Sequence, residues 1–259
     1  MKKVLICLLL IFVGCTNLKQ DKRDNKNEKY YTSGKLFSKE NIIDNKYQGQ
    51  QFVYYENGNK LSEINYEDGK ESSAKIYYED GKILMNMENK LKTTLYYKNG
   101  KQIFVMDNVN VALFNEDGSE AFSVSPDGIK LKGEPAKKSL LDVFNNKEKI
   151  LMTALTYILT NDIVAAEYKN GQKSVELKGL LVKAYYENGK TMLQISGNLD
   201  RSVLIKMYYE NGNLMLEESR TKSQGNSRKI YDKSGKLMED IKISKDGYVE
   251  KNKKGLLPL

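Results

Sequence analysis

The residues able to do chemistry are few in kind. Histidine is absent from the 259 residues, and the two cysteines, Cys7 and Cys15, both fall within the first fifteen positions. Without imidazole, Ser-His-Asp and Cys-His catalysis are excluded, as are the common zinc sites that use histidine. From Thr16 onward no thiol remains, so the body has neither disulfides nor a thiolate metal centre. Carboxylates and lysines are left. A pair of acids can hydrolyse a glycoside, but here the acids sit in turns that recur along the chain, such as Glu56-Asn57-Gly58, Glu79-Asp80-Gly81 and Glu187-Asn188-Gly189. An active site is usually unique, whereas these acids are periodic, and tight-turn chemistry explains them. No phosphate loop, dinucleotide fingerprint or EF-hand spacing is present. The expectation is a protein that is not an enzyme, with no cofactor and no metal.

Cys15 has a different chemistry. Met1-Lys2-Lys3 is a short positive start, and Val4 to Val13 is an apolar run ending at Gly14-Cys15. Ten apolar residues are too few for a permanent membrane helix, which needs about 20, and suit the core of a signal peptide. Phe12-Val13-Gly14-Cys15 resembles a bacterial lipobox, which implies lipidation of Cys15 and removal of residues 1–14. The alternative is an ordinary secretory signal with an incidental cysteine. Residues 15–29 are almost wholly polar and read as a disordered tether. A lipid anchor on such a tether would hold the body at a membrane face. Lipobox cysteines followed by threonine resemble those not retained at an inner membrane, so the expected address is the cell envelope, at the outer membrane where one exists. Export argues against a nucleic-acid partner. The net charge of +8, or +6 without Lys2 and Lys3, fits an anionic polymer or membrane surface and equally a solvated lysine-rich surface.

The elements that must carry any site repeat. Tyr30-Tyr31-Thr32-Ser33-Gly34 is followed by units ending at Gly58, Gly81, Gly100, Gly189 and Gly212, and by Ile230-Tyr231-Asp232-Lys233-Ser234-Gly235. Weaker copies end at Gly69, Gly118, Gly128, Gly171 and Gly247, giving a unit of about 23 residues with a half-unit of 11 or 12. Asn-Gly and Asp-Gly after β-formers signal hairpins. A lone hairpin is marginal, so neighbours must share a buried face. Because strand residues alternate sides, the second tyrosines (Tyr55, Tyr78, Tyr97, Tyr186, Tyr209, and Tyr231 in the last unit) are expected in the core with Val53, Ile76, Leu95, Ala184 and Met207. The first tyrosines (Tyr54, Tyr77, Tyr96, Tyr185, Tyr208) are expected outside, beside Lys75, Lys183 and Lys206. That tyrosine–lysine face is the candidate binding surface, for a protein or an envelope polymer. Cross-strand stabilisation of the sheet is the competing explanation.

Segments such as Tyr54 to Leu61, Tyr185 to Lys190 and Tyr231 to Leu237 resemble the MORN-variant repeat of the YwqK-type antitoxin family, over most of residues 30–131 and 168–250. The resemblance implies an elongated antiparallel sheet of β-hairpins without enzymatic activity, and an antitoxin-like or immunity role as the alternative to an envelope binding or scaffold role.

Residues 137–161 break the pattern. Leu140, Leu141, Phe144, Leu151, Ala154, Leu155 and Ile158 approximate helical spacing, while 150–159 read equally as a buried strand. The expected fold is mainly β with a short helical insert. Its parts are the signal peptide (1–14), the tether (15–29), a first repeat block (30–132), the insert (133–165), a second block (166–250) and a tail (251–259).

Overall fold

The computed structural model describes residues 25–88, 92–107, 110–125, 128–131, 164–197, 202–221 and 225–251. They form strands and no helix, in two antiparallel sheets. The first sheet begins with β1 (Asn25–Tyr30), β2 (Leu36–Ile43), β3 (Lys46–Tyr47), β4 (Gly49–Tyr54), β5 (Lys60–Glu67) and β6 (Lys70–Tyr77). It continues through β7 (Ile83–Glu88), β8 (Lys92–Tyr96), β9 (Gln102–Met106), β10 (Val111–Phe114), β11 (Glu120–Ser125) and β12 (Gly128–Leu131). The second holds β13 (Val164–Glu167), β14 (Lys173–Lys178), β15 (Leu181–Tyr185), β16 (Thr191–Gly197), β17 (Val203–Tyr208), β18 (Leu214–Thr221), β19 (Gly225–Tyr231), β20 (Leu237–Ile243) and β21 (Val249–Lys251). Strands follow one another in chain order, except that β3 pairs with β2 off the main path.

Each Tyr-x-x-Gly turn has the same mechanics. In the unit around Gly58, the Tyr55 amide donates to the Asn59 carbonyl at 2.8 Å and the Gly58 amide returns to the Tyr55 carbonyl at 2.9 Å. Gly58 sits at φ +94, a left-handed conformation that glycine adopts without steric penalty. The pairing then slips by one residue, because Val53 faces Ser62 while Tyr54 faces Lys60. Leu61 is therefore a bulge residue, turned inward with Tyr55. The same slip recurs at the other units, and the matching residues Phe37, Leu84, Ile103, Ala121, Met192 and Met215 are all buried. One unit thus supplies two inward residues where simple alternation gives one.

The inner faces of the two sheets share a main hydrophobic core, with two smaller clusters beside it. They meet in reverse order: Tyr55 packs on Tyr209 at 6.3 Å between ring centroids and Tyr97 on Tyr168 at 5.3 Å. The sheets also touch at both ends of the array. At one, Asn115 Oδ1 accepts the Glu167 amide and the Glu116 amide donates to the Glu167 carbonyl, each at 3.0 Å. At the other, Lys46 pairs with Tyr248 and the Val249 amide donates to the Asn45 carbonyl at 2.7 Å. Two turns are pressed together there: a Cβ on Gly69 would lie 2.8 Å from the Gly247 carbonyl oxygen.

The repeat hairpins match the expected mainly-β class, though divided between two facing sheets. Three details differ from the sequence reading. Strand β1 starts at Asn25, inside the span read as tether, because Asn25 to Tyr30 pairs with β2. Strand β13 starts at Val164, inside the span read as insert, and β21 runs to Lys251 at the start of the tail. Cys15, the signal peptide and residues 132–163, including the choice of helix or strand for 150–159, lie outside the described residues. Among the described residues no helix is long and apolar enough to cross a membrane.

Candidate binding site

The second tyrosines are structural. Each of Tyr55, Tyr78, Tyr97, Tyr186 and Tyr209 is buried, and so are Tyr31 and Tyr168. Their hydroxyls reach forward one unit and donate to the carbonyl before the next turn: Tyr31 to Tyr54 at 2.6 Å, Tyr55 to Tyr77, Tyr78 to Tyr96, Tyr168 to Tyr185 and Tyr186 to Tyr208 at 2.7 Å, and Tyr97 to Phe114 and Tyr209 to Tyr231 at 2.8 Å. Burial satisfied by a hydrogen bond is why a tyrosine and not a phenylalanine recurs. Burial also pushes their phenol pKa values up; Tyr97 is raised to about 12, first by burial and against the Ser174 hydroxyl.

Tyr231 does not belong to this row. Counting back from glycine, the 2.9 Å turn bonds from the Asp232 amide to Lys236 and from Gly235 to Asp232 place Asp232 in the second-tyrosine position. Tyr231 is half-buried and takes the first-tyrosine place, its carbonyl receiving the Tyr209 hydroxyl. The pair Ile230-Tyr231 stands one residue out of step with the tyrosine pairs of the other units, and Ile230 fills the core position of Met207 in the preceding unit.

On the outer face, Tyr54, Tyr77, Tyr96, Tyr185 and Tyr208 are half-buried, and the cations beside them face acids. Glu63 accepts from Lys60 at 2.8 Å and from the Tyr77 hydroxyl at 3.3 Å, and lies across the strand from Lys75. Glu176 accepts from Lys173 at 3.0 Å and from the Tyr185 hydroxyl at 2.6 Å, and lies across from Lys183. Lys206 pairs with Glu217 at 3.2 Å. The candidate residues are thus brought onto one side of their sheets, but as a neutralised lattice. The hydrogen bond from Lys60 holds the Glu63 carboxyl below its ordinary pKa, and the Tyr185 phenol is raised by burial and then by Glu176. This geometry favours the sheet-stabilising explanation of the outer tyrosines.

A second surface is more concave. Between the two rows of turns lies a cleft of 320 Å³ lined by Tyr55, Tyr78, Tyr186, Tyr209, Asn57, Glu79, Asp80, Lys98 and Glu210. That volume is within the ligand-sized range of about 300–1,000 Å³. Its rim is bridged from sheet to sheet: Lys98 Nζ is 3.2 Å from Glu210 and Lys233 Nζ is 2.9 Å from Glu79. Lys98 Nζ also lies 5.7 Å from the centroid of the Tyr78 ring.

Two segments match a family model, that of the MORN repeat variant. They are residues 47–68 in the first sheet and 203–220 in the second. No curated protein matches the chain. The crystal structure of TcdB2-TccC3-Cdc42 aligns with 89% of the chain at 10% identity, with a TM-score of 0.17 that carries no argument. The chain spans 14% of that polypeptide's length.

Charged residues are buried away from the repeating turns. At the strand ends opposite the Tyr-x-x-Gly turns, Glu218 accepts from Arg228 Nε at 2.8 Å and from Arg220, while Glu71 lies 3.2 Å from both guanidinium groups. Burial raises the Glu218 carboxyl but Arg220 and Arg228 outweigh it, leaving the pKa at about 2. Nearby, Glu40 and Glu239 from opposite sheets share Lys29. Burial first, and then Glu40, raise Glu239 to about 7 against the pull of Lys29. Two acids with separated pKa values are the pattern of acid–base pairs. Glu40 and Glu239 line a cavity of only 20 Å³, about the room of one water, while Glu71 and Glu218 line a separate, largely apolar cavity of 80 Å³ between the sheets.

The cleft leaves no signal in the sequence because Glu79, Asp80, Lys98 and Glu210 are ordinary turn residues; only docking of the sheets gathers them. The ion cluster did leave a signal. Glu218 and Arg228 stand at inner-face positions in register with Ile205 and Ile241, and a charge there breaks the apolar alternation.

Proposed function

We propose that this protein is a non-catalytic binding module of the cell envelope, carried on a lipid at Cys15. One observation carries the binding half: the cleft of 320 Å³ between the turn rows is ligand-sized, while the cavities beside the buried acids measure 20 and 80 Å³. The match of residues 47–68 and 203–220 to the MORN repeat variant supports a binding or scaffold role. The positive start, apolar run and Gly14-Cys15 junction support export and anchoring. The tether is then the polar stretch before β1. An antitoxin-like role against a partner toxin is the second reading, supported by the repeat segments such as Tyr54 to Leu61.

The test is fractionation of cells expressing the wild-type chain and Cys15→Ser. Wild type is expected with membranes and Cys15→Ser in the soluble exported fraction. A Cys15→Ser chain that stays membrane-bound would overturn the lipid anchor. Used as bait, the soluble variant separates the two readings, since recovery of a toxic enzyme that it inhibits would favour the antitoxin role.

A further inference from the structure

We infer that the cleft between the turn rows is a receptor for an organic primary ammonium group on a short alkyl stem. The inference deepens the binding role proposed above by naming the chemistry of the ligand. It starts from the polar atoms that line the cleft. The hydroxyls of Tyr55, Tyr78, Tyr186 and Tyr209 already donate to backbone carbonyls, so they have no proton left to offer a ligand. The Asn57 amide donates to the Glu79 carbonyl at 2.8 Å, and its oxygen accepts the Asn59 amide at 2.9 Å. Glu79, Asp80 and Glu210 add three carboxylates against one lining cation, Lys98. A surface of acceptors and aromatic rings calls for a ligand rich in donors, positively charged, and with an apolar stem.

The protein places such a group there itself. Lys98 Nζ lies 5.7 Å from the Tyr78 ring centroid and 3.2 Å from the Glu210 carboxylate. Its butyl stem reaches in from the turn of the neighbouring unit, and its side chain is 45% exposed. This is the arrangement in which an ammonium gains from both a π-face and a counter-charge. An exposed lysine holds such a place weakly, so an incoming ammonium competes with it on nearly equal terms. The other cations on these carboxylates, Lys233 on Glu79 from the opposite sheet and Lys82 on Asp80 within the same turn, are likewise half or more exposed and can turn away. Lys98 is thus an internal stand-in for the ligand, and its removal should open the site.

Two probes share this chemistry and differ in source: 1,5-diaminopentane for free diamines and Nα-acetyl-lysine methylamide for a protein side chain. Each is titrated into the purified full chain by calorimetry at low salt, with 1-pentanol as the neutral control. Saturable binding of at least one ammonium probe, and none of pentanol, is expected. Lys98→Met, which keeps the stem and deletes the charge, should bind roughly fivefold tighter. Glu210→Gln should bind roughly fivefold weaker. Lack of saturable binding by both wild type and Lys98→Met, or equal binding of pentanol, overturns the proposal. Far-UV circular dichroism checks that both variants keep the wild-type fold. Failure here leaves the Cys15→Ser fractionation untouched, so the envelope role and the ligand class stand or fall separately.

Discussion

At one end of the strands every turn repeats; at the other end hardly two are alike. The repeating end is held by tyrosines that each donate to the next unit, in both sheets. The irregular end carries Asp44 and Asn45 both at positive φ in one turn, Asp68-Gly69 in another, and a buried set of ions between the sheets. The difference is one of range. Tyrosine bonds run mainly between neighbouring units of one sheet, so they can be copied unit by unit. The ions join β6 of the first sheet to β18 and β19 of the second, through Glu71, Arg220 and Arg228. These ion contacts are made at positions where the repeat otherwise places apolar residues, so they are particular to their place. The repeat therefore builds each sheet and supplies the core between them, and the departures from it add docking contacts of their own at the irregular end.

The largest expected effect comes from breaking the docking end. Arg228→Met removes one partner from a buried cluster and leaves Glu218 and Glu71 short of positive charge. Urea denaturation should show a loss of about 3–5 kcal/mol. Replacing Arg220, Arg228, Glu71 and Glu218 together with apolar residues of similar volume should recover most of it, because no uncompensated charge then remains. A single Arg228→Met variant with wild-type stability would mean that the ions do not hold the sheets together.

The two ends should also differ in their response to pH. Glu239, facing Glu40 from β2, Lys29 from β1 and Tyr47 from β3, has its pKa raised from 4.5 to about 7. A carboxyl with a raised folded-state pKa gives a contribution fully present below pH 4.5 and lost as pH rises through about 7. Its size is on the order of 3 kcal/mol. Glu218 works in the opposite sense: held at about 2, it contributes above pH 4.5 and loses that as pH falls toward 2. Urea midpoints between pH 4.5 and 8 should fall for wild type and stay flatter for Glu239→Gln. Equal slopes for both proteins would remove Glu239 as the cause. At the tyrosine end burial moves the phenols of Tyr55, Tyr78 and Tyr186 upward, away from this window.

This contrast also explains what could be read from the sequence. Asn57-Gly58 and its copies announced their turns because φ preference is a local property. Tyr55 and Val53 announced the inner face because alternation is local too. Leu61 and its equivalents were not assigned, since a bulge shifts the alternation by one and only the pairing reveals it. Tyr231 was misplaced because its tyrosine stood out more than its distance from Gly235. Asp232 takes the second-tyrosine position there, with its carboxyl pulled below the ordinary value by Ser234 and backbone amides against burial. Tyr55, Tyr78, Tyr186 and Tyr209 are legible in the sequence as core residues, and the cleft they line is not. Pairing Lys98 with Glu210 spans 112 residues, and no local rule reaches that far.

The smallest expected effect sharpens the repeating end. If the tyrosine row is one device copied along the array, removing one hydroxyl should cost the same at each interior unit. Tyr186→Phe loses a single bond, to Tyr208 at 2.7 Å, and leaves that carbonyl without the hydroxyl; about 1 kcal/mol is expected. Tyr97 differs because it stands where the first sheet hands over to the second. Its hydroxyl donates to Phe114 at 2.8 Å, lies 2.7 Å from the Ser174 hydroxyl and 3.3 Å from the Glu167 carbonyl. Ser174 occupies the bulge position of its unit, where the other units carry Leu61, Leu84 or Met192, so this contact between sheets is itself a departure from the repeat. Tyr97→Phe should therefore cost about 2 kcal/mol, more than Tyr186→Phe. The Tyr97→Phe, Ser174→Ala double variant should be less destabilised than the sum of the singles, because each hydroxyl is the other's partner. Additive losses would place Tyr97 among the ordinary repeats, and the distinction between local staple and docking contact would fail at that residue.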